Sequence, residues 1–260
     1  MEIINPARRR LEQGGLAIGV GARQARTVDT AVMMASLGYD WLFIDLEHGS
    51  LSLDTAAQLS VACNAAGISP IVRVPKGQYD MATRALDSGA MGIIIPHVDT
   101  ADEAREAVDR LKFPPAGHRS AGGPMAQARF AGAPLAIAAK VFNAAMLIVP
   151  MIETPLAVKN AETIAATPGV DALLIGTNDL TLEMGIPGEI MHKDVHSAYE
   201  SVIAAAKKHE KWAAVGGVYT PEGLKHYIGM GCRMALAGSD YSFLMAAAGE
   251  RAKMLRGLVL

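Results

Sequence analysis

Short apolar runs alternate with longer stretches in which apolar residues recur at helical spacing, and the rhythm persists almost to the C-terminus. The runs predict eight strands, at Leu16–Val20, Trp41–Asp45, Ile71–Val74, Gly92–Pro96, Met146–Ile152, Ala172–Gly176, Ala213–Gly217 and Arg233–Ala237. Each is apolar at successive positions, as a strand buried on both faces of a parallel sheet must be. Helix starts are marked between them. Asp54-Thr55 opens one, Thr100-Ala-Asp-Glu brings acids into a first turn, and Thr154-Pro155 places proline at a helix start. Gly38, Gly67, Gly89 and Gly231 stand where left-handed caps would end helices. Eight strand–helix units with a final helix at Tyr241–Arg256 predict an α/β fold, a (β/α)8 TIM barrel in a single domain spanning residues 1–260. A doubly wound sheet would want a glycine-rich phosphate loop after the first strand, and Gly19-Val-Gly21-Ala-Arg-Gln lacks the third glycine.

One segment breaks the rhythm. Phe113–Pro134 is rich in Gly, Pro and Ala and carries Arg119 and Arg129. Long irregular loops in compact domains tend to be functional, so it is expected to serve as a substrate or subunit-contact loop beside the catalytic face.

Composition narrows the class. With 51% hydrophobic and 19% charged residues, the 260-residue chain has the makings of a large core, not of a disordered segment. Balanced charge, 24 Lys+Arg against 26 Asp+Glu, offers no basic footprint for nucleic acid. The apolar runs are too short to span a membrane, and the basic N-terminus lacks the apolar core of a signal peptide. Two cysteines without CxxC spacing suit a reducing compartment, so a cytoplasmic protein is expected.

In such a barrel the chemistry lies at the C-terminal ends of the strands. Those positions hold Asp45, Glu47, His48, Arg73, Lys76, His97, Glu153, Asn178, Asp179, Ser239 and Asp240. Glu153 and Asp179 close consecutive strands, and two carboxylates without thiol or imidazole favour a hard divalent ion. Each could instead serve a helix N-terminus. Asp45 and Glu47 precede His48, and a carboxylate beside an imidazole makes a general base, although a histidine at a loop entry can be purely structural. Arg73 needs an anion, either Asp45/Glu47 or a substrate carboxylate. Lys76 is the lysine nearest a strand end and the one a Schiff base would use, but Pro75-Lys76-Gly77 reads as a solvated loop. His97 is a third candidate ligand or a polar contact at the rim.

Taken in order, DWLFIDLEHG, VRVP, LDSGAMGIIIPHV, FPPAGHRS, MIET and LLIGTNDLT resemble the HpcH/HpaI aldolase family, from about Gly15 to Leu255. The resemblance implies a metal-dependent (class II) pyruvate aldolase using Mg²⁺, Mn²⁺ or Co²⁺. It also implies a homohexamer, a trimer of dimers with exchanged C-terminal helices. By the same resemblance, Glu153 and Asp179 are metal ligands, His48 the base and Arg73 the pyruvate-side arginine. Asp87 would reach into a neighbouring subunit's site, and the backbone at Thr177-Asn178 would hold the substrate carboxylate. Met151 stands where some members have glutamine, Asn178 where related sequences often have alanine, and the first strand has no tryptophan nearby. These departures bear on the acceptor end.

The expected reaction is reversible cleavage of a 4-hydroxy-2-oxo acid to pyruvate, or a close 2-oxo acid, and an aldehyde. Asp45 would orient His48, and Arg119 would help read the aldehyde. The alternatives are an acyl-CoA lyase of the citrate lyase β-subunit kind, and a non-catalytic barrel that binds a metal or 2-oxo acid.

Overall fold

The computed structural model describes residues 1–258. Eight parallel strands close into a barrel in sequence order: β1 (Ala17–Ala22), β2 (Trp41–Asp45), β3 (Ser69–Arg73), β4 (Gly92–Ile95), β5 (Leu147–Ile152), β6 (Ala172–Gly176), β7 (Trp212–Gly216) and β8 (Met234–Ser239). Pairing of β1 with β8, Ala17 opposite Met234, completes the ring. The expected β2 and β6 agree with these bounds, while β1 and β8 run two residues further than the apolar pattern indicated. Their last turns are small and polar (Gly21-Ala22, Gly238-Ser239), which hides a strand from a hydrophobicity reading.

Period-two alternation sorts the strand side chains into two cores. Leu42, Ile44, Val72, Ile93, Ile148, Leu173, Ile175 and Val215 face outward against the helices. Trp41, Phe43, Ile71, Ile94, Leu147, Val149, Leu174, Ala214, Met234 and Leu236 fill the barrel. A helix at Pro6–Glu12 adds Ala7 and Leu11 to that interior core. Asn5 caps this helix, and its amide donates to the Met91 and Ala145 carbonyls at 2.9 and 2.8 Å.

Gly19 owes its place to packing and not to a phosphate. A Cβ there would sit 2.0 Å from the Trp41 ring, so β2 supplies the indole that fills this layer and β1 gives way. The helix signals hold at Thr100, a capping box with Glu103, and at Thr154, which caps the helix at Pro155–Lys159. The helix expected to open at Asp54 is capped instead by Ser52, which accepts from the Thr55 amide; Asp54 lies in its first turn. The four expected cap glycines all have positive φ.

Phe113–Pro134 follows the helix at Ala101–Leu111 rather than β4 itself. It packs along the barrel's flank, where Gln127 donates to the Leu86 and Ala90 carbonyls at 2.6 and 2.8 Å. The expected position beside the catalytic face is thereby corrected.

The last helix, Asp240–Arg256, buries none of its residues in the chain. Leu244, Met245, Met254 and Leu255 are all more than half exposed, or at half.

Candidate active site

The inward-facing register that fills the barrel continues one layer higher, and there the residue types change. Above Phe43 comes Asp45, above Ile71 comes Arg73, and above Met151 comes Glu153. On β1, β6, β7 and β8 the corresponding positions are glycines, Gly21, Gly176, Gly216 and Gly238, and on β4 it is Pro96. Side chains crowd one half of the top layer and are missing from the other. A cavity of about 250 Å³ opens there, lined by Asp45, Arg73, Met151 and the four glycines, together with Arg23, Phe43, His48, Asn178, Asp179, Tyr219 and Tyr241.

Asp45, 1% exposed, is the hub. Its Oδ1 and Oδ2 accept Arg73 Nε at 3.0 Å and Nη2 at 2.7 Å, a two-pronged ion pair. Oδ1 also accepts the Glu47 and His48 amides, both at 3.1 Å, and so shapes the turn leaving β2. Arg73 Nη1 lies 3.1 Å from Glu47 Oε2, and the guanidinium stacks 5.1 Å from the Phe43 centroid. Burial opposes the guanidinium charge, but Asp45, Glu47 and Glu153 outweigh it and raise the pKa of Arg73. Nη1 also meets the Met151 sulfur at 4.0 Å, so the methionine at that departure position packs on the arginine.

The His48 imidazole is 56% exposed at the mouth and its Nε2 is 3.8 Å from Glu47 Oε2. Asp45 was expected to orient that ring. Instead it holds the His48 main chain and Arg73, and Glu47 is the carboxylate nearest the imidazole. The reason is geometry: the buried Asp45 carboxylate faces the Arg73 guanidinium and the two amides of its own turn, while the His48 ring points to solvent.

Glu153 is 1% exposed. Its Oε1 accepts the His97 amide at 2.6 Å and lies 3.2 Å from His97 Nδ1. His97 takes φ of 52°, a left-handed conformation rare outside glycine. Oε2 is buried without a hydrogen-bond partner among the described residues, and a Cβ on Gly176 would sit 2.4 Å from it. Burial, reinforced by the Asp179 charge, pushes the Glu153 pKa up despite the opposing influence of His97 and Arg73. Two carboxylates that repel, one carrying an orphaned oxygen in a space kept clear by glycine, fit a cation. Among the described residues no group of three or more His, Cys, Asp and Glu side chains forms a metal cluster. A two-carboxylate set is what Mg²⁺ commonly uses, with water and substrate filling the rest of its shell. Thr154, not Glu153, is the helix cap, which removes that rival role. Asp179 does lie in the first turn of the helix at Thr177–Glu183, where the dipole also favours it.

No side chain caps that helix, whose first amides are at the cavity wall. Thr177 is fully buried and orients the turn: its hydroxyl pairs with the Tyr199 hydroxyl at 2.6 Å and donates to the Gly216 carbonyl at 2.7 Å. Asn178 is exposed and lines the mouth.

Lys76 bridges Glu103 at 3.0 Å and the His97 carbonyl at 2.7 Å, so its ammonium is engaged away from the cavity. Arg119 and Asp87 also lie outside it. The Arg119 side chain has no exposed surface; its guanidinium sits over the Phe113 and Phe142 rings at 4.6 and 4.4 Å, and Nη2 donates to Asp87 Oδ1 at 2.6 Å. Within one chain Arg119 therefore positions Asp87 and contacts no ligand in the mouth, which corrects its expected role. Asp240 accepts four amides, those of Arg23, Gln24, Ala25 and Tyr241, and is a loop staple. Sequence reasoning missed Arg23, Tyr219 and the rim glycines. The available signal was the run of strands ending in glycine.

A parallel eight-stranded barrel thus gathers carboxylates, an arginine and a solvent-exposed histidine at the rim where such barrels place their catalytic groups. Residues 22–247 match the HpcH/HpaI aldolase/citrate lyase family model. The chain is 38% identical to the 4-hydroxy-4-methyl-2-oxoglutarate aldolase of Hapsidospora irregularis, over 95% of this chain and 93% of that one. It is 33% identical to the 2-dehydro-3,6-dideoxy-6-sulfogluconate aldolase of Pseudomonas putida, over 89% of each. The crystal structure of an HpcH/HpaI aldolase from Desulfitobacterium hafniense superimposes with a TM-score of 0.92 at 28% identity, covering 97% of both chains. The chain belongs to the HpcH/HpaI aldolase/citrate lyase family, and it is a class II aldolase.

Proposed function

We propose that this aldolase cleaves a 4-hydroxy-2-oxo acid, reversibly, to pyruvate or a close 2-oxo acid and a carbonyl compound, with a divalent ion held by Glu153 and Asp179. The observation that carries the metal reading is the orphaned, buried Glu153 Oε2 in the clearing left by Gly176. A bound Mg²⁺, Mn²⁺ or Co²⁺ supplies Lewis-acid stabilisation of charge developing on the 2-oxo oxygen.

The chain's own residues supply the rest. The amides at Thr177-Asn178 and the helix start meet the substrate carboxylate. His48, exposed at the mouth, takes the 4-hydroxyl proton as the C3–C4 bond breaks; C4 becomes a carbonyl and the bonding pair passes into the pyruvate enolate. In the reverse direction the same base helps remove a proton from the pyruvate methyl group. Arg73, fixed by Asp45 and Glu47, presents its remaining edge to the enolate oxygen and offsets its charge. Asp45 is thus a positioning residue. The small cavity supports an oxo acid of a few carbons over an acyl-CoA thioester.

The unpartnered face of Asp240–Arg256 and the half-exposed Asp87, held by Arg119, support a homo-oligomer of hexameric type with exchanged last helices and Asp87 completing a neighbour's site. We further read each chain as a single catalytic domain working in the cytoplasm, where its two free, buried cysteines stay reduced. Among the described residues no helix is long and apolar enough to cross a membrane.

Pyruvate release from 4-hydroxy-2-oxo acids tests the reading. A chelator abolishes it and added Mg²⁺, Mn²⁺ or Co²⁺ restores it. Borohydride trapping of pyruvate onto Lys76, with turnover surviving the chelator, would overturn it.

A further inference from the structure

Arg23 stands one residue beyond β1, and its side chain lines the mouth. Its main chain is immobilised, because the Asp240 carboxylate accepts the amides of Arg23 at 3.1 Å, Gln24 at 2.9 Å and Ala25 at 2.6 Å. Its guanidinium is aimed as well: Nε and Nη2 donate to the His48 carbonyl at 3.3 and 3.1 Å. A neutral carbonyl orients a cation without cancelling it. The nearest carboxylate oxygen, Asp45 Oδ2, is 3.7 Å from Nε, outside hydrogen-bond range, and Asp45 already carries the Arg73 fork and two amides.

The two arginines of the mouth therefore differ. The Arg73 side chain is 10% exposed and doubly paired, whereas that of Arg23 is 45% exposed and has no hydrogen-bonded carboxylate among the described residues. They are neighbours in space: Arg73 Nη2 is 2.7 Å and Arg23 Nε 3.7 Å from the same Asp45 Oδ2, with Arg23 reaching from the loop after β1 over the turn that leaves β2. Ser239, Tyr241 and Tyr219 line the same cavity. Burial raises the Tyr219 pKa while Arg23 and Arg73 pull it down, as expected of a phenol within their field. A pre-aimed, part-exposed cation beside the arginine that faces the 2-oxo oxygen is a receptor for a second anion close to the reacting carbons.

We propose that Arg23 determines acceptor specificity, and that the carbonyl fragment joined or released there carries a carboxylate close to its reacting carbon: an oxo acid rather than a neutral aldehyde. This rests on the aldolase reading above. The test pairs pyruvate as donor with two acceptors of equal length, anionic glyoxylate and neutral glycolaldehyde. Wild-type enzyme, Arg23→Gln and Arg23→Lys are compared by kcat and KM. Deuterium exchange at pyruvate C3 without acceptor is followed in wild type.

The expected result is a wild-type kcat/KM preference for glyoxylate. In Arg23→Gln that preference falls by about 10- to 100-fold, chiefly through KM, as loss of a charge-assisted hydrogen bond predicts. Arg23→Lys retains part of it. A wild-type preference for glycolaldehyde, or equal losses on both acceptors in Arg23→Gln, overturns the proposal and leaves Arg23 a brace for the His48 turn. Absence of both C3 exchange and condensation in wild type would instead overturn the aldolase reading, and this inference with it.

Discussion

Replacing Glu153 with glutamine separates the metal ligand from the structural residue. Glutamine keeps the length and volume of the side chain, and its Oε1 can still accept the His97 amide. The amide nitrogen then replaces Oε2, the oxygen that is buried without a partner and feels the Asp179 charge. A buried unsatisfied polar group costs about 1–3 kcal/mol, and more when charged. The substitution leaves an unpaired amide where an unpaired carboxylate oxygen stood, so the metal-free Glu153→Gln protein should be about as stable as metal-free wild type. With metal the two separate. At a concentration near 100 times Kd, binding adds about 2.7 kcal/mol, which for a chain of this size raises Tm by roughly 5–10 °C. Wild type should show that rise with Mg²⁺ or Mn²⁺ after chelator treatment, and Glu153→Gln should lose most of it. Because the folded protein holds the Glu153 proton more tightly than the unfolded chain does, metal-free wild type loses stability as pH rises from the ordinary carboxylate range through the raised folded value. Glu153→Gln should flatten that slope. Thermal unfolding with and without chelator, across pH, measures both effects. A variant that is several kcal/mol less stable without metal, yet keeps the full metal-induced rise, would refute the reasoning.

Gly176→Ala places a Cβ 2.4 Å from Glu153 Oε2 and should weaken metal binding at least tenfold, read by the same metal-induced Tm rise, while metal-free unfolding changes less. His48→Ala should lower kcat by about 10² to 10⁴ and keep the metal-induced rise, since the ring touches neither carboxylate of the metal pair. Near-normal C3 exchange in that variant would assign the base elsewhere. Asp87→Asn should impair turnover without affecting metal binding, and mixing it with inactive His48→Ala subunits should restore part of the activity through hybrid sites. An absence of rescue after verified subunit exchange would leave Asp87 a surface residue paired to Arg119.

The sequence by itself determined the barrel and the rim. Strands buried on both faces must be continuously apolar, so their spacing counts out eight units, and charges at their ends stand out because nothing charged is tolerated below them. The positions of Asp45, Arg73, Glu153 and Asp179 were legible for that reason. Which groups touch was legible only as alternatives, such as Arg73 with Asp45/Glu47 or with a substrate carboxylate, of which the fold makes the first. Asp45 reads as the partner of His48 along the chain, but a neighbouring strand brings Arg73 onto it, and a fixed cation captures a buried carboxylate before a solvent-facing ring can. Arg119 reads as a loop cation near the site, yet the fold seats it over the edge-packed Phe113 and Phe142 rings on the barrel's flank. Glycines at four strand ends look like turn residues until the ring closes and they become the open half of one layer. Arg23 gained meaning only when β8 delivered Asp240 to hold its loop and the turn after β2 delivered the His48 carbonyl to aim it. Pattern along a chain reports what each position can be buried against. Pairing depends on which strands the closed ring makes neighbours, and that is set by the tertiary structure.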